Sequence, residues 1–187
     1  MRFTRKTKLG ALACGLGVSM LLGVGSGAGA SNDGCDVIWG SLPETATADT
    51  RPAPTLTGLR AGRHTCFDRM VVEFDGEISG YDVSYVDEVL AQGSGHLISL
   101  DGGADLQVIT WAPAYDDSGS STYNPADPTH AVNVNGYQTL RQVHFGNSFE
   151  GQSLIGFGVR ARLPFRTFVL DGPGDGSRLV VDIAHSW

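Results

Sequence analysis

The prediction of the fold class starts from residues 69–74, Arg-Met-Val-Val-Glu-Phe. Apolar side chains stand at every second position of this stretch, at Met70, Val72 and Phe74, with charged residues between them. Successive side chains of a β-strand point to opposite faces, so the alternation predicts a strand with one face in a core and the other in water.

The same pattern returns near the C-terminus at residues 178–183, Arg-Leu-Val-Val-Asp-Ile. Its apolar triplet is Leu179, Val181 and Ile183, which matches the triplet of the first stretch position for position. Two such strands are expected to occupy related places in a two-layer sandwich. Six positions also fit any two half-buried strands, so internal duplication stays one of two alternatives.

Similar alternation, with β-branched and aromatic residues, predicts further strands between turns rich in glycine and aspartate. They are expected at residues 81–86, 96–100, 106–112, 140–145, 154–160 and 165–170. Helix is expected only as a short turn at residues 86–91. The sequence therefore predicts an all-β protein, a β-sandwich of two mostly antiparallel sheets with little helix.

One long polar connection, residues 113–130, interrupts the short turns. Loops of this size in a compact domain are usually functional or disordered. Tyr115 and Tyr123 lie in it, and aromatic rings with a polar tip can stack on sugar faces. The alternative is a surface loop packed down by its own rings.

Residues 1–30 have the three parts of a secretory signal peptide. A basic start is followed by an apolar stretch and by Ala28-Gly29-Ala30, so cleavage is expected before Ser31. The apolar run is short and glycine-rich, which predicts no stable membrane insertion after cleavage. Lipid attachment at Cys14 is a weaker alternative, since a long apolar run follows that cysteine.

Removal of residues 1–30 leaves nine arginines against twenty acidic residues, a net charge of −11 on one domain. Such a field repels phosphate backbones and anionic lipids, so we expect no nucleic-acid partner. Arginine without lysine, beside abundant alanine and glycine, indicates a high-GC bacterial genome.

Export leaves Cys35 and Cys66 in an oxidising compartment, where they are predicted to form a disulfide. The bond would tether residues 31–61, a segment rich in Pro, Thr and Ala, to the strand-rich domain at residues 62–187. A redox-active pair would need closer spacing.

No constellation of catalytic residues stands out. No serine lies in a nucleophile elbow, the five histidines are scattered singly, and Asp116 and Asp117 lie side by side in a loop. The sequence therefore predicts no enzyme, no metal site and no cofactor, with an unrecognised hydrolase as the remote alternative.

Several motifs resemble the AMIN-like domain of secreted actinobacterial proteins and lipoproteins. They are Gly62-Arg63-His64-Thr65-Cys66-Phe67-Asp68-Arg69, Ala112-Pro113-Ala114-Tyr115, Ser148-Phe149-Glu150-Gly151, residues 158–165 and Arg178-Leu179-Val180-Val181-Asp182. The resemblance covers nearly all of the chain after residue 30 and implies a β-sandwich distantly similar to the AMIN domain. It implies in turn an extracytoplasmic module, associated with the cell wall, that binds peptidoglycan.

The candidate ligand-binding residues combine aromatic rings with arginines. They are Tyr115, Tyr123, Arg160, Arg162 and Arg166. Arginine binds carboxylates through two parallel hydrogen bonds, and peptidoglycan stem peptides end in carboxylates. Two alternatives stay open: the arginines neutralise the protein's own acidic residues, or residues 113–130 dock another envelope protein.

Overall fold

The computed structural model describes residues 34–47 and 53–187. They form two antiparallel sheets that pack together, without a helix, which confirms the predicted all-β sandwich. The predicted signal segment 1–30, including Cys14, lies outside the described residues. In the part of the chain that is described, no helix is long and apolar enough to cross a membrane.

Eleven strands follow one another along the chain. They are β1 (Glu44–Thr47), β2 (Leu56–Arg63), β3 (Phe67–Phe74), β4 (Gly80–Val86), β5 (Val89–Leu90), β6 (Leu97–Ile98), β7 (Ala104–Thr110), β8 (Leu140–Phe149), β9 (Gln152–Val159), β10 (Phe165–Asp171) and β11 (Ser177–Ala184). One sheet has the order β1-β4-β7-β9-β8 and the other β10-β11-β3-β2, while β5 and β6 form a separate hairpin.

The two stretches with the repeated pattern are β3 and β11, and they are neighbours in the four-stranded sheet. Their antiparallel register places Val181 opposite Met70, so both apolar triplets point to the same face. Because the pairing is antiparallel, the arginine of each stretch faces the acid of the other. Arg69 lies opposite Asp182, and Glu73 lies opposite Arg178.

The core lies between the two sheets. Met70 and Val181 of the four-stranded sheet meet Val108, Ile155 and Phe157 of the five-stranded sheet in one cluster, and all five side chains have no exposed area. Burial of apolar side chains on this scale supplies the main favourable term in folding.

The outer face of the five-stranded sheet is covered by the chain itself. Val89 of β5 and Ile98 of β6 pack on Leu154 of β9 in a second apolar cluster. At Gly158 a β-carbon would lie 2.1 Å from the carbonyl oxygen of Asp101, so only glycine permits the close approach of this covering layer.

The predicted helical turn at residues 86–91 is wrong. Val86 ends β4, and Val89–Leu90 pair with Leu97–Ile98 as a short antiparallel hairpin. Val89 is fully buried in that pairing, so its packing against the sheet overrides the local preference of the segment.

The disulfide between Cys35 and Cys66 is present, as predicted. The segment that it tethers takes part in both sheets: β1 pairs with β4, and β2 pairs with β3 across the predicted domain boundary at residues 61–62. Glu44 of β1 also accepts a 2.6 Å hydrogen bond from the backbone N–H of Thr167 in β10. This contact joins the edges of the two sheets.

A buried polar pair closes the end of the sandwich next to the disulfide. The Asp68 carboxylate accepts hydrogen bonds from the backbone N–H groups of Thr139 (2.6 Å) and Leu140 (3.0 Å). Its other oxygen lies 3.1 Å from Nε2 of His185, whose backbone N–H donates to Cys66. Asp68 therefore connects β3 to the start of β8 and to the C-terminal residues.

Candidate functional site

A row of charged side chains crosses the outer face of the four-stranded sheet. Arg166 of β10 and Arg69 of β3 flank Asp182 of β11, and the three residues lie directly opposite one another in register. Arg69 and Asp182 lie opposite each other because β3 and β11 have the same sequence pattern and run antiparallel.

Asp182 holds both arginines at fixed positions. Arg69 donates from Nε (2.6 Å) and Nη2 (2.9 Å) to its two carboxylate oxygens, and Arg166 donates from Nε (3.0 Å) and Nη2 (2.9 Å) to one of them. The Asp182 side chain has no exposed area, whereas Arg69 keeps 25% and Arg166 keeps 42% exposed. Hydrogen bonding to Asp182 also raises the pKa of Arg69, so this guanidinium stays charged.

Three aromatic rings surround these arginines. The Arg166 guanidinium carbon lies 4.4 Å from the ring centroid of Trp39 and 5.3 Å from that of Phe168. Arg69 lies 5.3 Å from the Phe67 centroid and 5.5 Å from the Phe168 centroid. We call these six residues, Trp39, Phe67, Arg69, Arg166, Phe168 and Asp182, the arginine–aromatic cluster.

The arginine–aromatic cluster has the chemistry to bind a carbohydrate that carries carboxylates. Two arginines share one aspartate, so this row keeps one net positive charge on a strongly acidic protein. The rings of Trp39, Phe67 and Phe168 are all half-buried and offer apolar area beside the guanidinium groups. Aromatic rings stack on sugars, and fixed guanidinium groups bind carboxylates with little loss of side-chain entropy.

The predicted site arginines have different hydrogen-bond partners. Arg166 belongs to the cluster, where it neutralises the protein's own Asp182, as the alternative interpretation expects. Arg160 donates to the carbonyl oxygen of His185 at 2.6 Å. Arg162 donates to the carbonyl oxygen of Ser41 at 2.8 Å. Two of these arginines lie in the short loop between β9 and β10 and the third lies in β10, and each has a different partner.

The two predicted tyrosines lie in residues 113–130 but serve different contacts. The Tyr123 ring packs edge-on against Phe145 at 5.1 Å, and this burial raises the pKa of Tyr123. Tyr115 accepts a 3.3 Å hydrogen bond from Gly151 and borders an open cavity with Asp116 and other loop residues. Tyr123 therefore fits the hypothesis of a loop packed down by its own rings.

Both ring nitrogens of His185, in its buried pair with Asp68, contact oxygen atoms of the protein. Nδ1 of His185 lies 3.2 Å from the carbonyl oxygen of Thr65, and Nε2 lies against the Asp68 carboxylate. Each ring nitrogen of His185 therefore has a partner within the protein. Within residues 34–47 and 53–187, no three metal-ligating side chains come together.

Sequence reasoning missed most of the arginine–aromatic cluster. Trp39 lies in residues 31–61, for which only a tether by the disulfide was expected. Phe168 lies outside the two stretches that carry the repeated pattern, residues 69–74 and 178–183. The signal that could have found the cluster is the repeat itself. In an antiparallel pair it places Arg69 opposite Asp182, with Phe67 two residues away on the same face.

These features define a class of protein. A β-sandwich with a cationic face lined by aromatic rings has the features of a binding module, and its function is argued from that face. The chain belongs to the AMIN-like domain family, whose model matches residues 54–185. No curated protein matches the chain.

Family membership sets the broad role. AMIN-like domains are generally non-catalytic binding modules, and the family indicates an extracytoplasmic, envelope-associated and peptidoglycan-related function. The matched range begins at residue 54, just before β2, and so includes all of the four-stranded sheet and therefore the strands of the arginine–aromatic cluster.

Proposed function

We propose that this protein is an exported, non-catalytic module that binds the peptidoglycan of the cell wall through the arginine–aromatic cluster. The observation that carries the proposal is the row of Arg69, Asp182 and Arg166, with half-buried rings on either side of it. Glycan strands would lie on the rings, and stem-peptide carboxylates would bind the guanidinium groups.

The placement of the cluster supports this role. The outer face of the five-stranded sheet is covered by the β5–β6 hairpin, whereas the outer face of the four-stranded sheet presents two partly exposed arginines. Asp182 pre-orients both side chains, so binding would cost little additional ordering. Of the residues predicted from the sequence, Arg166 therefore becomes the main candidate, and Tyr115, Tyr123 and Arg160 become secondary ones.

Sedimentation with purified sacculi tests the proposal. Arg166→Gln is expected to weaken binding five- to tenfold, because a charge-assisted hydrogen bond contributes about 1.5–3 kcal/mol, part of it lost to solvent at an exposed site. Trp39→Ala is expected to weaken binding several-fold through the loss of stacking, worth about 0.5–1.5 kcal/mol.

Two substitutions outside the cluster serve as matched controls. Arg141→Gln removes an arginine of the five-stranded sheet that donates to the carbonyl oxygen of Leu140 at 2.9 Å, and Phe149→Ala removes an aromatic ring that is 43% exposed. Both variants should bind sacculi as the unchanged protein does. Equal losses in the cluster and control variants would show general charge or hydrophobic adsorption and would remove the proposed site.

A further inference from the structure

The charged row of the arginine–aromatic cluster continues onto β2, the edge strand of the four-stranded sheet. Arg166, Asp182 and Arg69 lie opposite one another in register, and Gly62 of β2 lies opposite Arg69 as the next member of the row. Neighbouring strands of a sheet are about 4.8 Å apart, so this row across four strands is about 14 Å long. The row is therefore longer than one sugar ring.

A line of rings lies beside this row. The His64 ring stacks on Phe67 with 4.3 Å between centroids and 19° between planes, and Trp39 contacts Phe67 edge-on at 5.6 Å. The backbone N–H of His64 donates to the carbonyl oxygen of Phe67, so the two residues are directly opposite each other at the turn between β2 and β3. Side chains of opposite residues share a face. The exposed His64 ring thus extends the rings of the cluster onto β2.

Gly62 leaves open space between the His64 ring and Arg69. A β-carbon on Gly62 would have one described atom within 4 Å, Nε2 of His64 at 3.8 Å, so this space is on the same face as the His64 ring. At Gly58 of the same strand, Glu73 fills the corresponding space, because its Oε2 would lie 2.8 Å from a β-carbon. The open space at Gly62 is therefore available to a ligand.

The far end of the same face is unfavourable for carboxylates. Glu73, Asp75 and Asp175 line an open cavity next to the turn between β10 and β11, and Arg178 is the one basic residue among the described residues that line it. Three carboxylates against one guanidinium group repel an anionic ligand, whereas the cluster keeps a surplus positive charge. A ligand with carboxylates is therefore favoured across the strands and disfavoured along them.

We propose that a carboxylate-bearing glycan lies across the four strands, from Trp39 to His64, and passes over the open space at Gly62. Its sugar rings lie on the line of aromatic rings, and its carboxylates bind the arginines of the charged row. The inference rests on the proposed function and deepens it. It makes the ligand a glycan longer than a disaccharide, and it assigns His64 and Gly62 to the binding site.

Binding of two muropeptides of different glycan length tests this arrangement by isothermal titration calorimetry. The full, oxidised protein should bind a tetrasaccharide muropeptide about tenfold more tightly than a disaccharide muropeptide from the same sacculi, because the longer glycan also reaches β2. Gly62→Leu should weaken tetrasaccharide binding about tenfold and disaccharide binding by less than about twofold, since leucine fills the open space. His64→Ala should weaken tetrasaccharide binding about threefold through the loss of one ring.

The variants are designed to keep the fold. Gly62 is not among the residues with a positive φ, so a leucine side chain is compatible with its backbone conformation. Thr45→Leu adds the same side chain at an exposed position of β1, outside the four-stranded sheet, and should leave both affinities unchanged. Thermal unfolding of each variant checks that the sandwich is intact.

The outcomes separate this inference from the proposed function. In a protein that binds sacculi, equal affinities for the two muropeptides, equal losses of both in Gly62→Leu, or no muropeptide binding would overturn the arrangement across the strands and leave wall binding in place. Binding of a linear oligoglutamate as tight as that of the tetrasaccharide would overturn it too, since it would indicate a plain polyanion surface. A protein that binds neither muropeptide nor sacculi would remove the proposed function and this inference with it.

Discussion

Replacing Asp68 with alanine is expected to lower the free energy of unfolding by about 4 kcal/mol, because one carboxylate satisfies three buried groups. The change leaves the backbone N–H groups of Thr139 and Leu140 without an acceptor and removes the partner of His185. Asp68 is 1% exposed, so water cannot replace the lost acceptor without opening this end of the sandwich. Urea unfolding followed by tryptophan fluorescence measures the loss.

Two further variants serve as controls for this prediction. Asp68→Asn keeps an oxygen acceptor for the two N–H groups and should cost clearly less than the alanine variant. Asp175→Ala, in the exposed turn between β10 and β11, should change stability by less than about 0.5 kcal/mol. An Asp68→Ala protein as stable as the Asp175→Ala protein would contradict the role given to the buried pair.

Removing the disulfide by replacing Cys35 and Cys66 with serine is expected to cost about 3–4 kcal/mol, because the bond closes a loop of 31 residues in the unfolded chain. Unfolding of the intact protein with and without a reducing agent should give the same difference. The cost arises mainly in the unfolded chain, since in the folded protein the N-terminal segment is also held by the pairing of β1 with β4, by the hydrogen bond between Gly40 and Phe165 and by the packing of Trp39.

The disulfide also supports the candidate site. Cys66 directly precedes Phe67, and Cys35 lies four residues before Trp39, so the bond positions both rings beside the arginines. Under conditions in which the reduced protein stays folded, its affinity for sacculi should fall to that of Trp39→Ala. Unchanged affinity of the reduced, folded protein would show that Trp39 needs no covalent anchor.

Period-two alternation predicted the sandwich well because it reports a physical requirement. A strand that is buried on one face only must alternate, and β3, β4, β7, β10 and β11 all appear close to their expected positions. The strand expected at residues 96–100 contains β6, whereas β5 was missed because its segment was expected to form a helical turn. Val89 is buried by tertiary contact with Leu154, which no local pattern reports.

The candidate site was harder to predict because it depends on register and on a distant segment. Arg160, Arg162 and Arg166 were predicted as one group because they are close in sequence. In the structure they bind three different residues, which are His185, Ser41 and Asp182 respectively. The partners that matter come from elsewhere in the chain and reach Arg166 through strand pairing and the disulfide. A pattern read along one strand carries no information about them.

The central claim is that wall fragments bind the outer face of the four-stranded sheet. Chemical-shift mapping with soluble muropeptides tests it most directly, because it reports which backbone amides the ligand affects. The account predicts that the largest shifts fall in β3, β10 and β11 around Arg69, Arg166 and Asp182. Shifts confined to residues 113–130, or their complete absence, would contradict the claim, and the first result would favour docking of a partner through that loop.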